Sequence, residues 1–215
     1  QSDVILFTGD LVNNLSEEVQ PWKSLFAQLQ ARDGVYSIMG NHDYGDYSSW
    51  ESPEAKQANI EQLHKLEEEM GWKLLLNTHT YLHRNGERIA LIGVENWGHG
   101  RFSKYGDLTK AMEGIAANDF KILMTHDPTH WEDIVQPQHK DIALTLSGHT
   151  HGMQCGIEVP GWRWSPSQYI YKHWGGMYQE DGQYLNVNRG FGYHAFPGRI
   201  GVWPEITVIE LKTKE

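Results

Sequence analysis

Four apolar runs in this chain each end in a short motif built from glycine, aspartate, asparagine and histidine. That arrangement constrains the fold more than any other feature. Val4-Ile5-Leu6-Phe7 leads to Gly9-Asp10, and Val35-Tyr36-Ser37-Ile38-Met39 leads to Gly40-Asn41-His42-Asp43. Lys121-Ile122-Leu123-Met124 leads to Thr125-His126-Asp127, and Ile142-Ala143-Leu144-Thr145-Leu146 leads to Gly148-His149-Thr150-His151-Gly152. Short apolar runs bounded by turn residues read as buried strands. Polar residues at the ends of such strands converge on one edge of a sheet, so residues far apart in sequence can build one site.

Each residue type in these motifs suits one task. Asp10 offers two oxygens and can bridge two divalent cations. Asn41 offers an amide oxygen that ligates without adding charge. His126, His149 and His151 offer imidazole nitrogens. A mixed nitrogen and oxygen set without thiolate favours Mn, Fe or Zn. His149 and His151 are two apart, so on an extended segment both point the same way and can address one cluster.

The set resembles the calcineurin-like metallophosphoesterase superfamily, whose motifs run D-x-H, G-D, G-N-H-D/E, a lone H and G-H-x-H in chain order. Gly9-Asp10, Gly40-Asn41-His42-Asp43, His126 and Gly148-His149-Thr150-His151 match the last four in order. The resemblance implies an α+β fold, a four-layer αββα sandwich of two mixed sheets flanked by helices, in one domain over residues 1–215. It implies two divalent metal ions and hydrolysis of phosphoester bonds by a two-metal-activated hydroxide. Asp10 would bridge both metals. Asn41, His126 and His149 would complete the second site, and His151 would belong to the first. His42 would be the acid near the leaving group, with Asp43 orienting or charging it. The D-x-H motif has no counterpart. The chain opens at Gln1-Ser2-Asp3, directly on the strand before Gly9-Asp10, and is read as a fragment whose first strand is truncated. The first metal site then keeps Asp10 and His151, while the second keeps all its protein ligands.

A finer resemblance covers the C-terminal half. Ser147-Gly148-His149-Thr150-His151-Gly152-Met153-Gln154 looks like the S-G-H-T-H-G-G-Q of a prokaryotic, often membrane-associated branch, with Met153 in place of a glycine. Asn188-Arg189-Gly190-Phe191-Gly192, Pro197-Gly198-Arg199-Ile200-Gly201 and Pro204-Glu205-Ile206 match the same branch. Some of its members cleave the pyrophosphate of UDP-diacylglucosamine in lipid A synthesis, and others are known as phosphodiesterases on artificial substrates. The expected partner is a small-molecule or lipid-linked phosphate ester, with membrane association through a missing N-terminal segment. Relatives that lost metal ligands act as interaction scaffolds, the alternative reading. His42 and His149, commonly changed in those proteins, are both present.

Composition narrows the class. A chain of 215 residues has length for one domain with a sizeable core. The net charge of −10 argues against nucleic-acid binding through a basic face. No apolar run approaches the roughly 20 residues that cross a bilayer. A single cysteine, Cys155, excludes an internal disulfide.

The remaining pattern predicts three helices. Residues 16–31 carry Ser16 as N-cap and Trp22, Leu25, Phe26 and Leu29 at helical spacing. Pro53 opens a second helix to about Met70, ended by Gly71. A third spans Leu108 to Ala117. Hairpins turn at Asn85-Gly86 and Asp181-Gly182, and Ile206 to Leu211 reads as a closing strand. Glu67-Glu68-Glu69 reads as a solvated helix face, and Asp127 as a turn or N-cap residue before Pro128. Asn96 and His99, at a strand end, are candidates for substrate contact. Arg189 and Arg199 either clamp a phosphate or pair with surface carboxylates. Residues 160–203 hold 11 of the 25 aromatic side chains, either as a cap over one sheet or as an apolar wall for an acyl chain or nucleobase.

Overall fold

The computed structural model describes residues 2–100 and 102–212. The chain runs through β1 (Ile5–Phe7), a 3-10 turn at Ser16–Val19, α1 (Lys23–Phe26), β2 (Val35–Ser37), α2 (Pro53–Glu69), β3 (Lys73–Leu74), β4 (Thr78–Arg84) and β5 (Glu87–Gly93). It continues through α3 (Leu108–Ala111), β6 (Phe120–Met124), a wide helical segment Trp131–Val135 leading into α4 (Gln136–Gln138), and β7 (Ile142–Ser147). Then come β8 (Ile157–Val159), β9 (Trp162–Trp164), β10 (Gly176–Glu180) and β11 (Gln183–Val187). Strands β1, β2 and β3 form one parallel sheet. A six-stranded sheet has the order β10-β11-β7-β6-β5-β4, parallel in its centre with an antiparallel hairpin at each edge. The pair β8-β9 stands apart as a hairpin.

Strand alternation makes the layers. Successive side chains on a strand face opposite ways. Leu6 and Tyr36 turn toward Leu91, Ile122, Leu144 and Leu146, forming the core between the two sheets. Ile5, Phe7 and Val35 turn the other way, onto Leu63 and Leu66 of α2, onto Met70 at its C-cap and onto Trp72. On the far side, Ile92, Leu123, Leu185 and Val187 meet Leu108 and Ala111 of α3 and Trp131 and Val135. Helix, sheet, sheet and helix therefore stack in four layers, the expected mixed architecture. The smaller sheet departs from expectation: its three described strands are all parallel, so only the larger sheet is mixed.

Several local expectations hold. Ser52 caps α2 by accepting the Ala55 amide, Pro53 opens it, and Gly71 follows it at φ 80°. Asn85-Gly86 and Asp181-Gly182 adopt positive φ at both residues, the I′ geometry that matches strand twist.

Others are corrected. Residues 16–31 do not make one helix. Leu15, not Ser16, is the N-cap, and the Glu18 carboxylate accepts the amides of Asn13, Asn14 and Leu15. Pro21 has no amide hydrogen to continue the helix, which restarts for one turn at Lys23. Trp22 and Leu25 are 57% and 54% exposed, and Phe26 reaches Trp72. The third helix stops at Ala111 instead of Ala117, with a Gly114 turn following at φ 84°. Residues 206–211 pair with no strand among the described residues; Ile206 and Val208 point to solvent and only Ile209 packs on the inter-sheet core. Glu67 is not solvated: it is buried and accepts the Ser37 hydroxyl, while Glu68 and Glu69 are exposed.

Candidate metal centre

The four motifs follow the C-terminal ends of β1 and β2, parallel neighbours in the smaller sheet, and of β6 and β7, parallel neighbours in the larger one, so the site draws on both sheets and not on one sheet edge. The loops after β1 and β2 touch backbone to backbone. A Cβ on Gly9 would sit 2.4 Å from the Gly40 amide nitrogen, and one on Gly40 would sit 2.2 Å from Asp10 Oδ1. Only glycine permits this approach. Asp10 itself sits at φ 58°, a left-handed conformation that costs energy outside glycine and tends to mark functional loops.

Asp43 closes the two loops together. Its carboxylate accepts the amides of Asp10 and Gly40, each at 2.7 Å, and those of Leu11 at 2.8 Å and Val12 at 3.2 Å. Burial and the nearby Asp10 charge push Asp43 upward, and the amide donors oppose them. The hydrogen bond to the His42 ring expected of Asp43 goes to another group. The His42 ring turns its Nδ1 to the Asn13 carbonyl at 2.7 Å, while the Asp43 oxygens are engaged by backbone. The His42 amide donates to Asp10 Oδ1 at 3.0 Å.

Asp10, His126 and His149 bring one ligand atom each to within 4.8 Å of one another. His126 Nδ1 faces the Thr8 carbonyl at 2.7 Å, so that nitrogen carries the proton and Nε2 is turned inward. His126 Nε2 stands 3.0 Å from Asp10 Oδ2 and 3.2 Å from His149 Nδ1. Burial works against charge on His126, but the Asp10 carboxylate and its hydrogen bond outweigh it and raise this imidazole above its ordinary range. Burial likewise opposes charge on Asp10, and His126 overturns it, holding the carboxyl well below its usual range. His149 is driven down by burial and then by the His126 charge. The spot therefore favours one positive charge among three inward-facing lone pairs, which a proton or a divalent cation supplies.

Asn41 strengthens the fit. Its Nδ2 donates to the Tyr47 hydroxyl at 2.9 Å, while its buried Oδ1 has no hydrogen-bond partner among the described residues. A neutral oxygen, a carboxylate and two imidazoles suit a borderline divalent cation. His151 stands outside the three-residue cluster. Its buried Nδ1 also has no partner among the described residues, and burial lowers it to about 4.

The four expected substrate contacts fare differently. The Asn96 side-chain amide donates to the Ser103 carbonyl at 2.9 Å and braces its own loop. The His99 ring is drawn away by Asp133 at 3.0 Å, while its amide donates to Asp127. Arg189 pairs with Glu205 at 2.6 Å and with Glu158, which favours the surface-carboxylate alternative. Arg199 spends Nη2 on the carbonyls of Arg189 and Gly192, both at 2.8 Å, whereas its buried Nη1 has no partner among the described residues. Asp127 accepts the Thr129 amide and hydroxyl, as a turn-capping residue does.

Two residues beside the cluster were not singled out as site residues by the sequence, although Tyr171 lies in the aromatic-rich stretch 160–203. The Tyr171 hydroxyl lies 2.8 Å from His149 Nε2. The His194 ring lies 4.6 Å from the His42 ring and 6.2 Å from that of His151. Gln154 holds the His194 loop, donating to the carbonyls of Phe196 and Gly198 at 2.6 and 2.7 Å and accepting the His194 amide. Neither residue belongs to a short motif, and the aromatic density around Tyr171 does not distinguish it from its neighbours.

Comparison with known proteins agrees with this geometry. Residues 1–153 match the calcineurin-like phosphoesterase family, and the chain belongs to that family. It is 29% identical over 214 residues to an uncharacterized metallophosphoesterase, YkuE, of Bacillus subtilis, covering 98% of this chain and 68% of that protein. It is 30% identical over 225 residues to a transmembrane protein with metallophosphoesterase domain of Danio rerio, covering 98% of this chain and 46% of that protein. The chain thus spans about half the length of that relative. Among solved structures, the NAD nucleotidase NadN of Haemophilus influenzae aligns with a TM-score of 0.53 at 18% identity, covering 87% of this chain and 40% of that one. That likeness concerns the fold. Family and cluster together support a metal-dependent hydrolase in general, and no helix among the described residues is long and apolar enough to cross a membrane.

Proposed function

We propose that this centre hydrolyses phosphoester bonds, with a phosphodiester or pyrophosphate preferred over a phosphoprotein. The observation that carries the reading is the convergence of Asp10, His126 and His149 within 4.8 Å at the ends of three strands. Asp10, Asn41, His126 and His149 would hold one divalent cation, and Asp10 with His151 would contribute to a second. Bound there, such a cation supplies Lewis acidity toward a phosphoryl oxygen and lowers the pKa of water from about 15.7 toward 7.

The chain's own residues do the rest. His42 donates from Nδ1 to the Asn13 carbonyl; with the ring protonated on both nitrogens, Nε2 would be the atom that gives its proton to the leaving oxygen. Arg199 Nη1, buried and without a partner among the described residues, would be the group of that side chain left to meet a phosphate oxygen. Exposed aromatics such as Tyr169 and Trp203, each 76% accessible, suit a lipid-linked or otherwise apolar phosphate ester better than a phosphorylated protein segment. The domain's occurrence in a transmembrane relative supports work beside a membrane.

The test is metal content and turnover together. Protein extended upstream to restore the D-x-H motif and loaded with Mn²⁺ is expected to hydrolyse bis-p-nitrophenyl phosphate, and Asp10→Asn and His149→Ala in it are expected to lose both metal and activity. Unchanged turnover in both variants would sink the assignment.

A further inference from the structure

The segment after residue 153 lies outside the stretch that matches the family, yet it reaches the centre. Two hydrogen bonds stitch it to the Gly148–Gly152 loop. The Ser165 hydroxyl donates to the Gly152 carbonyl at 2.7 Å, and the Thr150 hydroxyl donates to the Trp174 carbonyl at 2.6 Å. Between these anchors a 3-10 turn over Pro166–Tyr169 starts at Ser165, whose hydroxyl accepts the Ser167 amide. The Tyr171 amide then donates to the Ser167 carbonyl at 2.8 Å. The backbone of Tyr171 is fixed from both sides, and its ring meets the His149 ring edge to face at 5.4 Å.

We infer that Tyr171 is a positioning residue for the ligand His149: its hydroxyl takes the Nε2 hydrogen and thereby commits Nδ1 to the metal. This rests on the proposed metallohydrolase reading. The logic is one of tautomers. A neutral imidazole carries one N–H and one lone pair. His149 Nδ1 faces His126 Nε2 at 3.2 Å, inside the cluster, and Nε2 faces Tyr171 at 2.8 Å. A cation ligated by Nδ1 requires the hydrogen on Nε2, and the Tyr171 oxygen is placed to accept it. His126 shows the mirror arrangement, with Nδ1–H on the Thr8 carbonyl and Nε2 inward. The two imidazoles thus present opposite nitrogens to one point, each held by an outer partner. Loss of such an outer partner typically weakens metal binding 10–100-fold.

The experiment compares wild type and Tyr171→Phe, which keeps the ring and removes the hydroxyl. The Mn²⁺ dissociation constant is measured by chelator competition, the visible spectrum after Co²⁺ loading, and the melting temperature without metal. The expected result is Mn²⁺ binding weakened about 10–100-fold and an altered Co²⁺ spectrum, with the metal-free melting temperature unchanged. A dissociation constant within twofold of wild type overturns the inference and leaves the metallohydrolase reading standing. A parallel fall in the metal-free melting temperature overturns it in favour of a purely structural tyrosine. Wild-type protein that takes up no metal overturns the reading beneath it, and the inference with it.

Discussion

The Asp43 carboxylate accepts the backbone amide of Asp10 at 2.7 Å, so the fourth residue of the G-N-H-D motif holds the loop that carries the central metal-facing carboxylate. It accepts three further amides, from Leu11, Val12 and Gly40. A carboxylate is suited to this task because it accepts only, and each oxygen takes more than one donor.

Asp43→Asn is therefore expected to place an amide hydrogen among backbone donors and to destabilise the fold. Hydrogen bonds to a charged group are worth about 1.5–3 kcal/mol each, and a net loss of about 3 kcal/mol is expected in urea unfolding. Mn²⁺ binding should weaken in the same variant, because Asp10 loses its anchor. A variant as stable as wild type would show that the amides find other partners.

His42→Asn should act on chemistry and not on metal uptake. Loss of a general acid typically costs roughly 10²–10⁴-fold in rate. The cost should be large for an alkyl leaving group and small for p-nitrophenolate, which departs without a proton. Steady-state rates on the two substrate types check this. Equal losses on both would place His42 elsewhere in the reaction.

Glu67 predicts a pH dependence of stability. Burial, opposed by the Ser37 hydrogen bond and aided by the Asp43 charge, pushes its carboxyl to about 8. The folded state then binds a proton that the unfolded state has released above about 4.5, so this group makes the fold lose stability as pH rises from there to about 8. Glu67→Gln removes the effect. The stability of the variant relative to wild type should climb across that window, by at most about 1.4 kcal/mol per pH unit. Parallel stability curves between pH 5 and 8 would contradict it.

Arg189→Met tests a structural arginine. Its guanidinium is engaged by Glu205 and Glu158. The substitution is expected to lower stability by about 1–3 kcal/mol, through two stranded carboxylates, while kcat/KM stays within twofold. A large fall in kcat/KM at unchanged stability would return Arg189 to the substrate.

The sequence by itself determined what depends on neighbours along the chain. Apolar runs ending in Gly9-Asp10, Gly40-Asn41, His126 and Gly148-His149 mark strands and their ends, because burial and alternation are local patterns. Asn85-Gly86 and Asp181-Gly182 mark hairpins because few residue pairs tolerate positive φ twice. Pro53 and Gly71 bound α2 for similar backbone reasons, and Pro21 already carried the signal that breaks residues 16–31. Tertiary structure decided which partner each polar side chain took. Asp43 went to backbone amides instead of the His42 ring, Glu67 went inward to Ser37, Arg189 went to two carboxylates, and Tyr171 went to His149. Such choices turn on distances of 2–3 Å between elements tens of residues apart, and a hydrogen bond's steep dependence on distance and angle leaves no periodic trace in the chain.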